Sequence, residues 1–314
     1  MEKIEIINAQ SLEKMLNTFL QQRLLPDSFL YISEQGKENW LALESNERFP
    51  IAASLTALMK EHAGSIASHA RDISTLVSIG AVDAKKEFIL LTELLKNRRL
   101  SCQIVDVSSQ MVDVAMEMLC ALRIDLHGIV AFCEDMEILA QYWGRPVLLC
   151  LLGNNFCNYD PMQLLKQVSR NLNERDLFLF DCHLCSSHPQ REEKWRHDVE
   201  EVYNSSQNIK FNIAPLVSRG MDPDCCQFEL KLIQVDSPWG QIYRTRKQIK
   251  FTRNATVQCG ADSITFSKGE IIGMGFTYKY RMTQLLAYMK EYNYNIIQSW
   301  FDSTGDNVMI LAKK

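Results

Sequence analysis

One segment of the chain has the pattern of a strand, a tight turn, a helix and a second strand that ends in an acid. The apolar run Ser74–Ile79 stops at Gly80, and Glu87–Leu95 has the apolar spacing of a helix. The strand-like run Cys102–Val105 then leads into Asp106. A glycine in this turn lets the backbone approach a ligand, and the helix behind it offers free N–H groups. The segment predicts a βαβ unit that places a nucleoside-type cofactor at the carboxyl edge of a parallel sheet.

The turn itself bears on the class of cofactor. Gly80-Ala-Val-Asp-Ala84 lacks the second and third glycines of the G-x-G-x-x-G fingerprint, which a pyrophosphate needs for its close approach. Asp83 would also repel a phosphate. S-adenosylmethionine (SAM) has no phosphate and carries a sulfonium cation, so a single glycine and nearby acids suit it better. The pattern favours SAM over a nucleotide cofactor, and a purely structural βαβ unit is the remaining interpretation.

Composition indicates an ordinary folded chain. The 314 residues are 46% hydrophobic and 23% charged, with a net charge of −4, which gives no global attraction to nucleic acid or anionic membrane. The first residues have no signal-peptide pattern, and no apolar run reaches membrane-spanning length. Several of the ten cysteines lie in apolar runs, as reduced thiols do. We expect a cytoplasmic protein, a monomer or weak homo-oligomer, that binds neither nucleic acid nor membrane.

Strands and helices alternate along the first two thirds of the chain, which predicts an α/β fold with a doubly wound parallel sheet. From about Cys182 the pattern becomes β-rich, and the chain ends with a helix and two strands. The predicted architecture is a Rossmann-like, SAM methyltransferase type of sheet with a second α+β domain for substrate. We place the SAM-binding domain at 55–192 and 279–314, and the substrate-binding domain at 1–54 and 193–278. The predicted helices are Ser11–Leu25 with Ser11 as N-cap, Ala52–His62, Ser108–Leu122 with Ser108 as N-cap, Met162–Asn171, Lys194–Tyr203 and Met282–Tyr292.

A cysteine-rich stretch raises the question of a metal site. Cys182-His-Leu-Cys-Ser-Ser-His188 contains a CxxC spacing, and Cys225-Cys226 downstream would complete four zinc ligands. No second CxxC or HxxxH accompanies it, and the apolar run before Cys182 indicates that this thiol ends a buried strand. We therefore predict no metal.

Several segments, taken in order, resemble the histidine-specific SAM-dependent methyltransferase family, which makes Nα-trimethylhistidine on the route to ergothioneine. The resemblance spans nearly the whole chain. It is carried by Leu76-Val-Ser-Ile-Gly80, Val105-Asp-Val-Ser108, Glu134-Asp-Met136, Leu152-Gly-Asn-Asn-Phe-Cys-Asn158, Tyr203 before Phe211-Asn212, and Gly269-Glu270 before Tyr278-Lys-Tyr280.

The resemblance implies a set of cofactor residues. Gly80 would approach the methionine end of SAM, with Lys86 beside the cofactor. Asp106 would bind the ribose hydroxyls, and Asp135 with Met136 would bracket the adenine.

The resemblance also implies a substrate site, to which Asn158, Tyr31 and Tyr203 would contribute as the catalytic set, with Asn158 holding the α-amino or carboxyl group. Alignment of the nucleophile with the methyl group would supply much of the acceleration. The remaining positions depart from the family pattern. Phe49 replaces a tyrosine, Asn155 lies in a changed Gly-Thr-Ile-Gly-Asn motif, and Gly275 and Thr277 replace an acid and a serine.

The replacement at Gly275 bears on the substrate. Losing a carboxylate that pairs with an imidazole N–H removes a bond of about 1.5 to 3 kcal/mol. Gly273 and Gly275 would also leave room for a larger or aromatic side chain. We therefore expect SAM-dependent N-methylation of a small amine, an amino acid or derivative other than histidine. The alternatives are a non-catalytic binding or scaffold protein that kept the fold, and an O- or C-methyltransferase of secondary metabolism.

Overall fold

The computed structural model describes residues 2–46, 49–186 and 189–314. Its centre is a parallel sheet whose strands are short apolar runs buried on both faces, as parallel strands covered by helices must be. The strands are β1 Glu2–Glu5, β2 Leu24–Leu25, β3 Thr75–Ile79, β4 Ser101–Asp106, β5 Asp125–Val130, β6 Val147–Leu151, β7 Leu177–His183, β8 Cys226–Val235, β9 Ile242–Phe251, β10 Ala255–Cys259, β11 Asp262–Phe266, β12 Ile271–Met274, β13 Tyr278–Lys279, β14 Asn295–Phe301 and β15 Asn307–Lys313.

The larger sheet has the strand order β1-β5-β4-β3-β6-β7-β15-β14. Its first six strands run parallel, and β15 and β14 close it as an antiparallel hairpin. The chain leaves β3 for β4 on one side and later returns to β6 on the other, so the strand order reverses between β3 and β6. Ligands of doubly wound sheets bind at the carboxyl edge at such a point. The predicted doubly wound α/β fold is confirmed.

Helices cover both faces of this sheet and extend into the smaller part of the molecule. The N-terminus of α5 is capped as predicted, because the Ser108 side chain accepts a hydrogen bond from the Met111 amide. The helices are α1 Ala9–Gln21, α2 Glu34–Glu44, α3 Pro50–His69, α4 Lys85–Leu94, α5 Ser109–Leu119, α6 Met136–Leu139, α7 Pro161–Asn171, α8 Pro189–Tyr203, α9 Ser206–Val217 and α10 Met282–Glu291.

The smaller sheet is built around β9. Strand β8 pairs with β9 along its whole length, and β12 and β13 pair with its other edge. Strand β2 joins β12 in parallel, which brings the N-terminal segment to this sheet. The 3-10 helix Asp27–Tyr31 follows β2 directly. Helices α1, α2 and α9 and the β10–β11 hairpin pack here around a common apolar cluster.

The structure corrects several local predictions. Asn8, not Ser11, caps α1, since the Asn8 side chain accepts a hydrogen bond from the Ser11 amide at 2.9 Å. Strand Glu2–Glu5 was not predicted and lies at the edge of the larger sheet, although the first 54 residues were placed in the substrate domain. Strand Tyr278–Lys279 pairs with β9 across the other predicted boundary. The division of the chain into two domains therefore stays a prediction.

Within the described ranges, no helix combines the length and the apolar character needed to cross a bilayer.

Candidate active site

A cavity of about 370 Å³ opens at the carboxyl edge of β3, β4, β5 and β6, opposite the smaller sheet. Its volume lies in the range of small-molecule pockets. The loops after those four strands form one wall, and we call this the cofactor half: Gly80, Asp106, Glu134 and Asn155 are among its lining residues. The 3-10 helix, α2, α9 and β9 form the opposite wall, which together with Asn158 we call the substrate half. Glu44, at the end of α2, pairs with Lys86 and is counted with the cofactor half.

Gly80 lies at the centre of the cofactor half in a backbone conformation that requires glycine. Its φ is +73°, and an ideal Cβ built there would lie 1.9 Å from Asn155 Nδ2. The same Nδ2 donates a hydrogen bond to the Ile79 carbonyl at 2.8 Å. Asn155, expected in the substrate site, thus fixes the turn after β3 as well as lining the cavity.

Asp106 ends β4 with its carboxylate in the cavity. Oδ1 accepts a hydrogen bond from the Ser108 amide at 2.8 Å, which orients the group. Burial raises the pKa of Asp106 to about 7, while the amides of Ser108 and Val107 act against this shift. A partly desolvated carboxylate at this position is suited to accept hydrogen bonds from vicinal hydroxyls.

Lys86 and Glu44 form an ion pair at the edge of the cofactor half, with Lys86 Nζ 3.7 Å from Glu44 Oε1. Burial alone would lower the pKa of Lys86, but the carboxylates of Glu44, Glu87 and Asp181 raise it overall. Burial raises the pKa of Glu44, against the effect of Lys86. Glu44 Oε2 is buried and has no hydrogen-bond partner in the described part of the chain. Glu44 lines the cavity, so its carboxylate is an acceptor suited to a ligand cation or amine.

The loop after β5 places the predicted adenine residues away from the cavity wall. Asp135 Oδ2 accepts a hydrogen bond from the Phe132 amide at 3.2 Å, and the Met136 side chain is fully buried in the apolar core. Phe132, Cys133 and Glu134 line the cavity instead. At this loop, the acid that lines the cavity is Glu134.

Asn158 and Thr277 come together in the structure, although 119 positions separate them. Thr277 Oγ1 donates to Asn158 Oδ1 at 2.9 Å, and the Thr277 amide donates to Thr245 Oγ1 at 2.7 Å. Because its oxygen is engaged, the Asn158 amide presents its NH₂ group as a donor. That group suits a substrate carboxylate or the lone pair of an amine.

Aromatic rings line the substrate half. The Tyr31 ring lies 5.4 Å from Trp40 and 5.1 Å from Phe211, and Phe49 packs edge-on against Tyr203 at 5.9 Å. Burial raises the pKa of Tyr31 well above its ordinary value, and the nearby carboxylates of Asp27 and Asp106 raise it further. The Tyr31 phenol therefore stays protonated between the two halves of the cavity.

The room expected beside Gly275 is not there. An ideal Cβ on Gly275 would lie 2.5 Å from Asp27 Cγ, so the Asp27 carboxylate fills this space. The parallel pairing of β2 with β12 brings Asp27 alongside, and the Gly275 amide donates to the Leu25 carbonyl at 3.2 Å. Asp27 in turn accepts a hydrogen bond from Lys247 Nζ at 2.5 Å. Residue 275 itself carries no carboxylate, but Asp27 places one beside it from another element.

Lys279 is fully buried behind Tyr203. Its Nζ lies 2.9 Å from His183 Nδ1 and 3.4 Å from the Tyr203 hydroxyl. Burial, together with the charge of Lys279, lowers the pKa of His183 well below its usual range, so the imidazole is neutral and Nδ1 accepts from Lys279. This arrangement fixes the orientation of Tyr203 from outside the cavity.

The cysteines considered for zinc lie apart. Cys182 packs in the core of the larger sheet, Cys185 against α8, and Cys225 in the cluster of the smaller sheet. Among the residues that the structure describes, no three His, Cys, Asp or Glu side chains converge to hold a metal. His188 of the same stretch lies outside the described residues.

The cavity-lining side chains that sequence reasoning missed include Asp27, Glu44, Lys247 and Asn212. Asn212 Oδ1 is buried without a partner in the described ranges. Asn212 did appear in the family resemblance, next to Phe211, but received no role. Asp27 follows a helix-breaking proline and resembles a turn residue, and Lys247 resembles an exposed basic position. Neither carries a local signal of its place in the cavity.

A family model described as histidine-specific, SAM-dependent methyltransferase matches residues 9–314. The chain belongs to this family. It is accordingly an enzyme, a methyltransferase whose methyl donor is SAM, and the resemblance noted in the sequence is confirmed. A curated relative, the N-methyltransferase fsqC of Aspergillus fumigatus (strain ATCC MYA-4609 / CBS 101355 / FGSC A1100 / Af293), is 20% identical over 292 residues, covering 90% of this chain and 77% of that protein.

Two solved structures are similar at lower identity. A SAM-dependent methyltransferase from Clostridium acetobutylicum ATCC 824 is 12% identical with a TM-score of 0.41, covering 83% of this chain and 91% of that one. The SAM-bound amino pentose methyltransferase CalS10 from Micromonospora echinaspora is 10% identical with a TM-score of 0.38, covering 82% and 92%.

The cofactor half fits SAM by its own chemistry. It combines the glycine turn at Gly80 with the carboxylates of Asp106, Glu134 and Glu44. These groups suit hydroxyl and amino donors and a net positive ligand, and they would repel a pyrophosphate.

Proposed function

We propose that this enzyme transfers methyl groups from SAM to the amino nitrogen of a small molecule, an amino acid or a close derivative. The observation that carries the proposal is the substrate half itself, where Asn158, Asn212 and Tyr203 surround the cavity with neutral hydrogen-bonding groups. Amides and phenols orient an amine without protonating it, and a methyl acceptor must keep its lone pair free.

The cofactor half supports the position of the donor. Asp106 would hold the ribose hydroxyls, Glu134 would face the adenine, and Gly80 would let the methionine end pass close to the backbone. When bound, SAM supplies an electrophilic methyl group on a sulfonium sulfur. Asn155 and Lys86 keep the walls of this half in place, and Glu44 offers its carboxylate to the ligand's ammonium group.

The substrate half would position the amine. The Asn158 NH₂ group, held by Thr277, would donate to the substrate carboxylate. Tyr31 and Tyr203 would orient the nitrogen, whose lost proton passes to water. The aromatic walls exclude bulk water from the reacting groups, which strengthens their electrostatic interactions. Since Asp27 supplies a carboxylate beside Gly275, the sequence-based argument against histidine loses its premise, and L-histidine belongs in the substrate panel.

The proposal is tested in two steps, first by cofactor binding and then by detection of the methylated product. Calorimetric titration should show binding of SAM and of its demethylated product to the wild type, and binding weakened about 10- to 100-fold in Asp106→Asn. Mass spectrometry of reactions with a panel of amino acids and amines should then detect methyl groups on nitrogen. Asp262→Asn, on the exposed β10–β11 hairpin, is the matched control. Methylation of oxygen or carbon only, across a panel that includes phenols and enols, would contradict the proposal.

A further inference from the structure

An ion pair lies in the substrate half where a substrate side chain would end. Lys247 Nζ and Asp27 Oδ1 are 2.5 Å apart, with side chains 8% and 21% exposed. Asp27 begins the 3-10 helix after β2, and Lys247 lies in the middle of β9. Both residues line the cavity.

The pair has hydrogen-bonding capacity left over. An ammonium group has three donors, and in the described ranges Lys247 Nζ makes a single hydrogen bond, to Asp27. Asp27 Oδ2 accepts none there, and the oxygen that lies against Gly275 is Oδ1, 2.6 Å from an ideal Cβ on that residue. A buried ion pair costs desolvation energy unless its remaining donors and acceptors are satisfied. A ligand group in the cavity would satisfy them.

The geometry of the pair determines which kind of substrate group can bind it. A donor and an acceptor lie side by side, so one atom that both accepts and donates can contact both: a hydroxyl oxygen donates to Asp27 Oδ2 and accepts from Lys247 Nζ. A cationic side chain would be repelled by Lys247 and an anionic one by Asp27. An apolar side chain leaves both groups unsatisfied. A neutral imidazole has its donor and acceptor on separate ring atoms that point away from each other.

The walls next to the pair indicate which chemical group of the substrate carries the hydroxyl. Tyr31, Trp40 and Phe211 form a continuous aromatic surface, with ring centroids 5.0 to 5.4 Å apart. Flat rings pack on such a surface in offset or edge-on arrangements. Asp27 and Tyr31 are the first and last residues of the same 3-10 helix, so this surface borders the ion pair.

We propose that the Asp27–Lys247 pair recognises a phenolic hydroxyl, and that the substrate is an amine with a hydroxylated aromatic ring, such as a tyrosine-type amino acid. This inference rests on the proposed function and specifies the substrate class of the same site.

The test compares L-tyrosine with L-phenylalanine, which differ only in the hydroxyl. Calorimetry in the presence of the demethylated product of SAM should show the wild type binding L-tyrosine at least 10-fold more tightly, and kcat/KM for N-methylation should differ in the same direction. Asp27→Asn and Lys247→Met should each reduce this ratio at least 5-fold. Lys250→Met, an exposed position on the same strand, should leave the ratio unchanged.

Folding of the single variants is checked by their binding of the demethylated product. If either variant fails to bind it, the double variant Asp27→Asn/Lys247→Gln, which keeps a neutral pair, takes its place. Equal binding of the two amino acids, preference for L-phenylalanine or L-histidine, or an unchanged ratio in folded variants would overturn the inference while N-methylation stands. Absence of SAM binding or of any methylated amine would instead contradict the proposed function.

Discussion

The side-chain amide of Asn155 occupies the space that a β-carbon at residue 80 would need, with Nδ2 1.9 Å from the ideal Cβ position of Gly80. The same amide donates to the Ile79 carbonyl, so it links the loop after β6 to the end of β3. These two loops flank the point where strand order reverses. The contact therefore sets the shape of the cofactor half.

Gly80→Ala should disrupt this contact and SAM binding together. The alanine is strained at φ +73°, which costs about 1 to 2 kcal/mol, and its methyl group displaces Asn155. We expect SAM affinity to fall at least 10-fold by calorimetry. Gly305→Ala is the matched control, since Gly305 has φ +75° and, among the described residues other than its chain neighbours, none has an atom within 4 Å of its ideal Cβ. Equal SAM affinity in the two variants would show that the contact with Asn155 has no role.

SAM binding should depend on pH through Asp106. Burial raises the pKa of this carboxyl to about 7. The ionised form accepts hydrogen bonds from two hydroxyls and the protonated form does so less well, so affinity should fall as pH drops below 7. If only the ionised form binds, the Kd at pH 6 is about 10-fold higher than at pH 8.

The measurement is a calorimetric titration at pH 6, 7 and 8 with wild type and Asp106→Asn. The asparagine cannot ionise. The Kd of Asp106→Asn for SAM should therefore be higher than that of the wild type at pH 8, and it should not show the 10-fold change between pH 6 and pH 8. The same pH dependence in both proteins would assign the effect to another group.

Sequence reasoning succeeded where local pattern and tertiary environment agree. Helix α5 begins directly after the serine that was predicted to cap it, although it ends at Leu119 and not at Leu122. The edge strand Glu2–Glu5 reads Glu-Lys-Ile-Glu, and only its pairing with β5 makes it a strand. Helix α2 buries only Gly36 and Leu43 among its eleven residues, so it has no apolar stripe to detect.

The site residues also fall into those that a local pattern reveals and those that only the tertiary structure brings together. Gly80 and Asp106 were found because each ends a strand of one βαβ unit, a local pattern. Asp27 and Lys247 are 220 positions apart and meet only because β2 pairs with β12 and β12 with β9. No local signal encodes that register. The carboxylate beside Gly275 was therefore invisible until the strands were placed.

The stability of the protein should depend on pH through Glu87. This side chain is fully buried, Oε1 accepts from Ser78 Oγ at 2.7 Å, and Oε2 has no partner in the described ranges. Burial raises its pKa from 4.5 to about 7, against the effect of Lys86. Between these values the folded protein holds a proton that the unfolded chain has lost, so the free energy of unfolding falls as pH rises, by up to about 3 kcal/mol.

Glu87→Gln keeps the shape of the side chain and cannot ionise. Its Tm relative to wild type should therefore rise between pH 5 and pH 8, measured by thermal unfolding in matched buffers. Glu117→Gln, at an exposed position on α5, should follow the wild type. A Tm difference between Glu87→Gln and wild type that does not change with pH would contradict the assignment.

Lys279 should affect turnover without supporting the fold. In the described part of the chain no carboxylate pairs with Lys279, and its Nζ lies within hydrogen-bond distance of the His183 and Tyr203 side chains. Removing a buried, unpaired cation does not cost stability, so Lys279→Met should keep or raise Tm. The Tyr203 hydroxyl loses a donor, however, and kcat should fall about 10-fold while the Kd for SAM stays constant.

Lys290→Met, on the exposed face of α10, should leave kcat and Tm unchanged. A parallel loss of Tm and kcat in Lys279→Met would instead show that the lysine holds the fold together, since a residue that only orients Tyr203 leaves the unfolding transition in place.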